Sequence, residues 1–185
     1  LVDAGCEYEG YASDITRTFP ANGSFTLEQR AIYAIVLAAQ KAAIAVAKPG
    51  VLFCTVHDKA VEVITNGLMD LGLITKMNIC DAITHQTYRE FFPHGTSHWL
   101  GLDVHDAGDY QRNDTHRALR TLEPGMVLTV EPGIYVQPDN AGVEKKWRDI
   151  GVRIEDDVLI TETGNCVLSK DAPKEIEEIE KLMSS

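Results

Sequence analysis

The chain has 185 residues, 44% of them hydrophobic, and a formal net charge of −11. That supplies one ordinary core without help from disulfides, and the acidic balance excludes nucleic acid or anionic lipid as the main partner. Cys6, Cys54, Cys80 and Cys166 are scattered with no CxxC pair, which fits reduced thiols in a cytoplasm better than a disulfide framework or a structural zinc site.

No apolar run is read as long enough for a membrane span and no signal peptide is visible, so a soluble cytoplasmic protein without a membrane partner is expected. The chain opens at Leu1-Val2-Asp3 in what reads as the middle of a strand, so an N-terminal part is expected to be missing.

Residues 1–19 read as a hairpin with Glu9-Gly10 as its turn. A helical pattern runs from Thr26 to about Ala47, with Ile32, Ile35, Val36, Ala39, Ala43 and Val46 on one side, Thr26-x-x-Gln29 as a capping box and Pro49-Gly50 as the stop. A second helix is expected to begin near Thr55 and run to Leu71-Gly72, and a shorter one over Asp81–Glu90. Then SHWLGLDVHD, MVLTVEPGIYV and GVRIEDDVLIT read as short strands, Gln137 to Asp149 as a loop, and Pro173–Met183 as a closing helix with Pro in its first turn. The order hairpin, helices, strands suggests α+β, with helices packed on a curved antiparallel sheet.

A turn at Glu9-Gly10 pairs Asp3 with Thr16 and sets Asp14 opposite Gly5, so Asp3 and Asp14 are diagonal neighbours on one face. Two carboxylates that close repel unless a proton or cation sits between them, and the small or apolar neighbours of Asp3 argue against full solvation. Glu131 lies in the apolar run LTVEPG just before a Pro-Gly turn, while Arg153 and Glu155 alternate with Val152 and Ile154. HGTSHWLGLDVHD holds His94, His98 and His105. Each residue alone also reads as strand-edge surface or a satisfied core histidine. Together, two Asp, one His and two Glu suit Mn²⁺, Zn²⁺, Co²⁺ or Fe²⁺, leaning to the harder end. His57, His85 and His116 are read as surface or helix residues.

VDAGCEYEGYASDITRTFP, HGTSHWLGLDVHD, LEPGMVLTVEPGIYV and GVRIEDDVLITETGN resemble, in order, the signature blocks of the pita-bread metallopeptidases. Within that group they are most similar to bacterial proline-specific aminopeptidase P, with prolidase next. The resemblance implies the α+β pita-bread fold, with residues 1–185 as a C-terminal catalytic domain incomplete at its N-terminus.

It also implies two divalent ions, usually Mn²⁺: Asp3 on one, His98 and Glu131 on the other, Asp14 and Glu155 bridging. A hydroxide between the ions would attack the carbonyl before proline in the second position of a peptide. Glu131 would serve as base, His94 and His105 would contact substrate, and Arg153 would orient Glu155. Trp99 or Tyr88 is the expected aromatic wall of a proline pocket. Relatives carry a further histidine upstream and are often homo-oligomers, so these 185 residues alone are expected to be poorly active. The competing readings are a prolidase and a catalytically silent pita-bread peptide-binding module.

Overall fold

The computed structural model describes residues 1–110 and 120–184; His116 lies outside them. The chain begins with two short antiparallel pairs, β1 (Val2–Ala4) with β4 (Ile15–Arg17) and β2 (Glu7–Tyr8) with β3 (Tyr11–Ala12). Both obey one register, with Asp3 across from Thr16 and Tyr8 across from Tyr11. Glu9 and Gly10 have φ of 53° and 86°, the left-handed pair that a tight two-residue hairpin turn requires. Pairing lapses between the two halves. A Cβ on Gly5 would collide with the Ser13 carbonyl, and the Cys6 amide donates to the Ser13 hydroxyl instead.

α1 (Leu27–Val46) starts as its sequence dictates: the Thr26 hydroxyl accepts from the Gln29 amide and the Gln29 side chain accepts from the Thr26 amide. α2 (Phe53–Asp70) begins two residues before Thr55, without a side-chain cap. Its first amide, on Phe53, donates to the Arg120 carbonyl at 2.8 Å, so a residue distant in sequence supplies the cap. α1 and α2 approach so closely at Gly67 that an added Cβ would meet Ile35 at 2.6 Å. The expected helix over 81–90 is instead α3 (Ile79–Thr84) and a 3₁₀ turn (Thr87–Glu90), divided by Gln86 at φ 55°. By length and composition α1 could cross a membrane, contrary to the expectation of no such run. Here Ile32, Tyr33, Val36 and Ala43 bury it in the core.

The later half is built on two kinked strands. β5 (Val127–Val130) pairs with β8 (Asp156–Ile160), and β6 (Gly133–Val136) pairs with β7 (Ile150–Arg153). One register runs through both pairs and sets Glu131 opposite Glu155 where the ladder is interrupted. Pro132-Gly133 is therefore no chain-reversing turn: it carries the strand from one sheet into the next. β9 (Asn165–Val167) extends the β5–β8 sheet. Segment 97–106, expected as strand, has only the Trp99–Leu128 bridge, and the 137–149 loop holds a short 3₁₀ turn, Lys145–Trp147. α4 (Ile176–Met183) starts after Pro173 rather than on it. Every pairing between described strands is antiparallel, and one apolar core is shared by the helices and strands.

β8 is tied to the helices through Asp156, which is fully buried. Arg17 at 2.7 Å, Lys174 at 2.5 Å, Gln40 and Ser169 all donate to its carboxylate. Burial would raise its pKa, but the Lys174, Ser169 and Arg17 hydrogen bonds outweigh that and hold it below the ordinary aspartate value.

Candidate metal centre

The kinks in the late strands and the lapse in the hairpin face one cleft of about 550 Å³, lined by Asp3, Asp14, His98, Glu131 and Glu155 with His94, His105 and Arg153. Three overlapping sets bring donor atoms within 4.8 Å of one another: Asp14 with His98 and His105, His98 with Glu131 and Glu155, and Asp3 with Asp14 and Glu155. The residues singled out in the sequence thus meet in space.

His98 has a defined tautomer. Its Nδ1–H donates to the Trp99 carbonyl at 3.0 Å, because a carbonyl can only accept. Nε2 is therefore the nitrogen that faces the cleft, 3.4 Å from Asp14 Oδ2 and 3.4 Å from Glu131 Oε1. The loop before it is fastened to β5: the Glu131 amide donates to the Thr96 carbonyl, and the Thr129 amide to the His98 carbonyl. His57 is a helix residue, as one of its two readings had it: on α2 it bonds that loop through Thr96 Oγ1 at 2.8 Å and is half-buried, and burial keeps its pKa below the usual value. His85 is exposed beyond α3.

Burial pushes the Glu131 pKa up to about 7 and that of Glu155 to about 8, despite opposing help from Arg153 for the first and from Thr16 for the second. Asp14 is also raised, by burial and then by its contact with the Asp3 carboxyl. Asp3 itself is 49% exposed at its side chain, partly shielded and short of full solvation. Arg153 Nη2 holds it, while Nε donates to Thr16 Oγ1, which donates in turn to Glu155 Oε2 at 2.5 Å. Arg153 thus reaches Glu155 through Thr16.

His94 has both ring nitrogens engaged: Nδ1 donates to the Gly95 carbonyl at 2.7 Å and Nε2 accepts from the Tyr135 hydroxyl at 2.8 Å. Burial lowers its pKa, which keeps the ring neutral. Tyr135 was missed in the sequence, although it follows Glu131 and Gly133 at alternate positions of GIYV. Gly133 leaves room for it, since a Cβ there would lie 2.6 Å from the phenol oxygen. His105 packs edge-on to His98 with ring centroids 4.3 Å apart. Neither expected aromatic wall lines this cleft: Tyr88 and Trp99 are buried, and Tyr110, stacked on Trp99, provides the aromatic surface instead.

Four carboxylates against one guanidinium, two of them with pKa values pushed towards or above neutrality, form a charge set that a divalent cation would balance. Oxygen donors with an imidazole nitrogen aimed among them suit such an ion, so these residues fit a metal site.

The comparisons agree with this chemistry. Residues 1–162 match metallopeptidase family M24. The chain is 52% identical over 183 residues to an Xaa-Pro aminopeptidase of Escherichia coli, covering 99% of this chain and 40% of that protein. It is 41% identical over 184 residues to Xaa-Pro aminopeptidase 3 of Homo sapiens, covering 100% of this chain and 35% of that protein. Among solved structures, Pseudomonas aeruginosa aminopeptidase PepP superposes with a TM-score of 0.95 at 53% identity, over 98% of this chain and 40% of that one. The chain therefore spans well under half the length of these relatives, and its architecture is the α+β pita-bread arrangement expected.

Proposed function

This chain belongs to metallopeptidase family M24, and on that premise we propose that it is the metal-binding part of a manganese-dependent Xaa-Pro aminopeptidase, which releases the N-terminal residue of peptides with proline second. The observation that carries the reading is the convergence of Asp3, Asp14, His98, Glu131 and Glu155 on one cleft. The names of the relatives, Xaa-Pro aminopeptidases of bacterial and animal origin, support the substrate class. The oxygen-rich donor set supports Mn²⁺ over softer metals. Four free cysteines support a reducing, cytoplasmic setting.

In this reading Asp3 would hold one ion, His98 and Glu131 the other, with Asp14 and Glu155 shared. Two such ions supply Lewis acidity and make a water ionisable near neutral pH. The chain's own residues do the rest. Glu131 accepts the water's proton and returns it to the departing proline nitrogen. Arg153 and Thr16 keep Asp3 and Glu155 aligned. His94, held neutral by burial and oriented by Tyr135, stands beside Glu131 with Nδ1 4.0 Å from Oε2. His105 borders the cleft next to His98 and faces the incoming peptide.

The test is hydrolysis of Ala-Pro-Ala and Ala-Pro by the full-length protein with Mn²⁺, alongside a count of bound metal. Release of alanine from the tripeptide at a much higher kcat/KM supports the aminopeptidase. Preference for the dipeptide would make it a prolidase, and absence of stoichiometric metal would make it a silent binding module.

A further inference from the structure

Residues 14–18 of the hairpin run antiparallel to residues 153–157 and touch them at alternate positions. Thr18 exchanges hydrogen bonds with the backbone of Arg153, and the Glu155 amide donates to the Thr16 carbonyl at 3.1 Å. At the Thr18 position it is the threonine hydroxyl that pairs with the Arg153 backbone, and at the third position a side chain from the other segment serves: the Asp14 amide donates to Asp157 Oδ2 at 3.2 Å. Asp14 lies opposite Gly5, where the hairpin ladder has lapsed, so β8 supplies the acceptor that the hairpin does not.

Asp157 is itself only 4% exposed, and its Oδ1 has no hydrogen-bond partner among the described residues. It borders a largely apolar cavity of about 360 Å³ whose wall includes Leu100, Val127 and Leu168. Packing alone would favour an apolar side chain there, because a buried carboxylate with an unsatisfied oxygen is costly. What the carboxylate provides is a tether. Glu155 and Asp157 lie two residues apart on one segment, so the backbone of Asp14 is fastened to the same segment that presents Glu155.

We propose that Asp157 is a positioning residue that fixes Asp14 relative to Glu155 and thereby sets the affinity of the cleft for divalent ions; this rests on the reading of Asp14 as a shared metal ligand. The role needs an acceptor at Oδ2, not a charge, so asparagine fulfils it and leucine does not.

The experiment titrates Mn²⁺ by calorimetry into the metal-stripped full-length protein and its Asp157→Asn and Asp157→Leu variants, with the thermal unfolding of each recorded without metal. Asp157→Asn is expected to bind within about threefold of the parent, and Asp157→Leu about 10- to 100-fold more weakly, the size of effect typical of residues that orient metal ligands. If leucine prevents folding, Asp157→Ala carries the same expectation. A parent that binds no Mn²⁺ overturns the metal centre and this inference with it. A parent that binds Mn²⁺ while a folded leucine or alanine variant matches it overturns this inference alone. So does an asparagine variant as weak as the leucine one.

Discussion

Thr16 Oγ1 donates to Glu155 Oε2 at 2.5 Å while accepting from Arg153 Nε at 3.0 Å, so one buried hydroxyl couples the arginine to the carboxylate that it never touches. Valine has the same shape without the hydroxyl. Thr16→Val is expected to leave the fold intact and weaken Mn²⁺ binding about 10- to 100-fold, since residues that orient metal ligands have effects of that size. Calorimetric titration checks it, and unchanged affinity would remove Thr16 from the relay.

Tyr135 links Arg153 to His94 through its hydroxyl, with Arg153 Nη1 donating at 3.4 Å and the hydroxyl donating to His94 Nε2. Tyr135→Phe frees that imidazole nitrogen and leaves the ring anchored only through Nδ1 to the Gly95 carbonyl. We expect kcat/KM for a tripeptide substrate to fall about 10- to 100-fold, the size of effect typical of residues that orient a neighbouring group in a metal site. Mn²⁺ affinity should change little, because the Tyr135 hydroxyl bonds to His94 and Arg153 rather than to Asp3, Asp14, His98, Glu131 or Glu155. Equal losses in metal affinity and in turnover would contradict this division of roles.

Glu131→Ala removes both the proposed base and a donor to the ion beside His98. Turnover should drop by about 10²- to 10⁴-fold or more, the range for loss of general-base catalysis. A variant within a few-fold of the parent would take Glu131 out of the mechanism.

The raised pKa values fix a pH dependence for the metal-free protein. Native Glu131 and Glu155 release their protons at about 7 and 8, against 4.5 for an ordinary glutamate. Between those limits the folded state binds more protons than the unfolded chain, so stability falls as pH rises. The contribution is complete below about pH 4.5, the glutamate reference value, and is lost through the native pKa values. Buried His57 and His94, held below the ordinary histidine value, act in the opposite sense at lower pH. A chelator-treated sample should therefore lose melting temperature from about pH 7 to about pH 8.5, and saturating Mn²⁺ should remove most of that slope. A flat or rising profile without metal would show that the carboxylates are not held protonated.

Asp156 is set among Arg17, Lys174, Gln40 and Ser169 away from the cleft, and its role is structural. Asp156→Ala strands two largely buried cations and should cost about 3–5 kcal/mol in denaturant unfolding, as for other broken buried ion pairs. Against a typical total stability of about 5–15 kcal/mol that is a large share. A loss below about 1 kcal/mol, the range of an exposed pair, would show that the network is solvated.

The sequence by itself determined the pieces that close over a few residues. The Glu9-Gly10 turn sets the register that pairs Asp3 with Thr16, and Thr26 with Gln29 caps α1, because both depend on local dihedrals and neighbouring amides. It also determined which side chains carry the chemistry, since acidic and imidazole groups amid apolar runs are costly without a partner. Only the tertiary structure decided how those groups meet. Thr16 reaches Glu155 across 139 positions, Asp14 reaches Asp157 across 143 and His94 reaches Tyr135 across 41. The α2 cap comes from Arg120, and the strands break at Glu131 and Glu155 because they pass from one sheet into another. Such contacts depend on how the hairpin and the kinked strands cross, and that crossing is set by burial of the shared core rather than by any neighbouring residue.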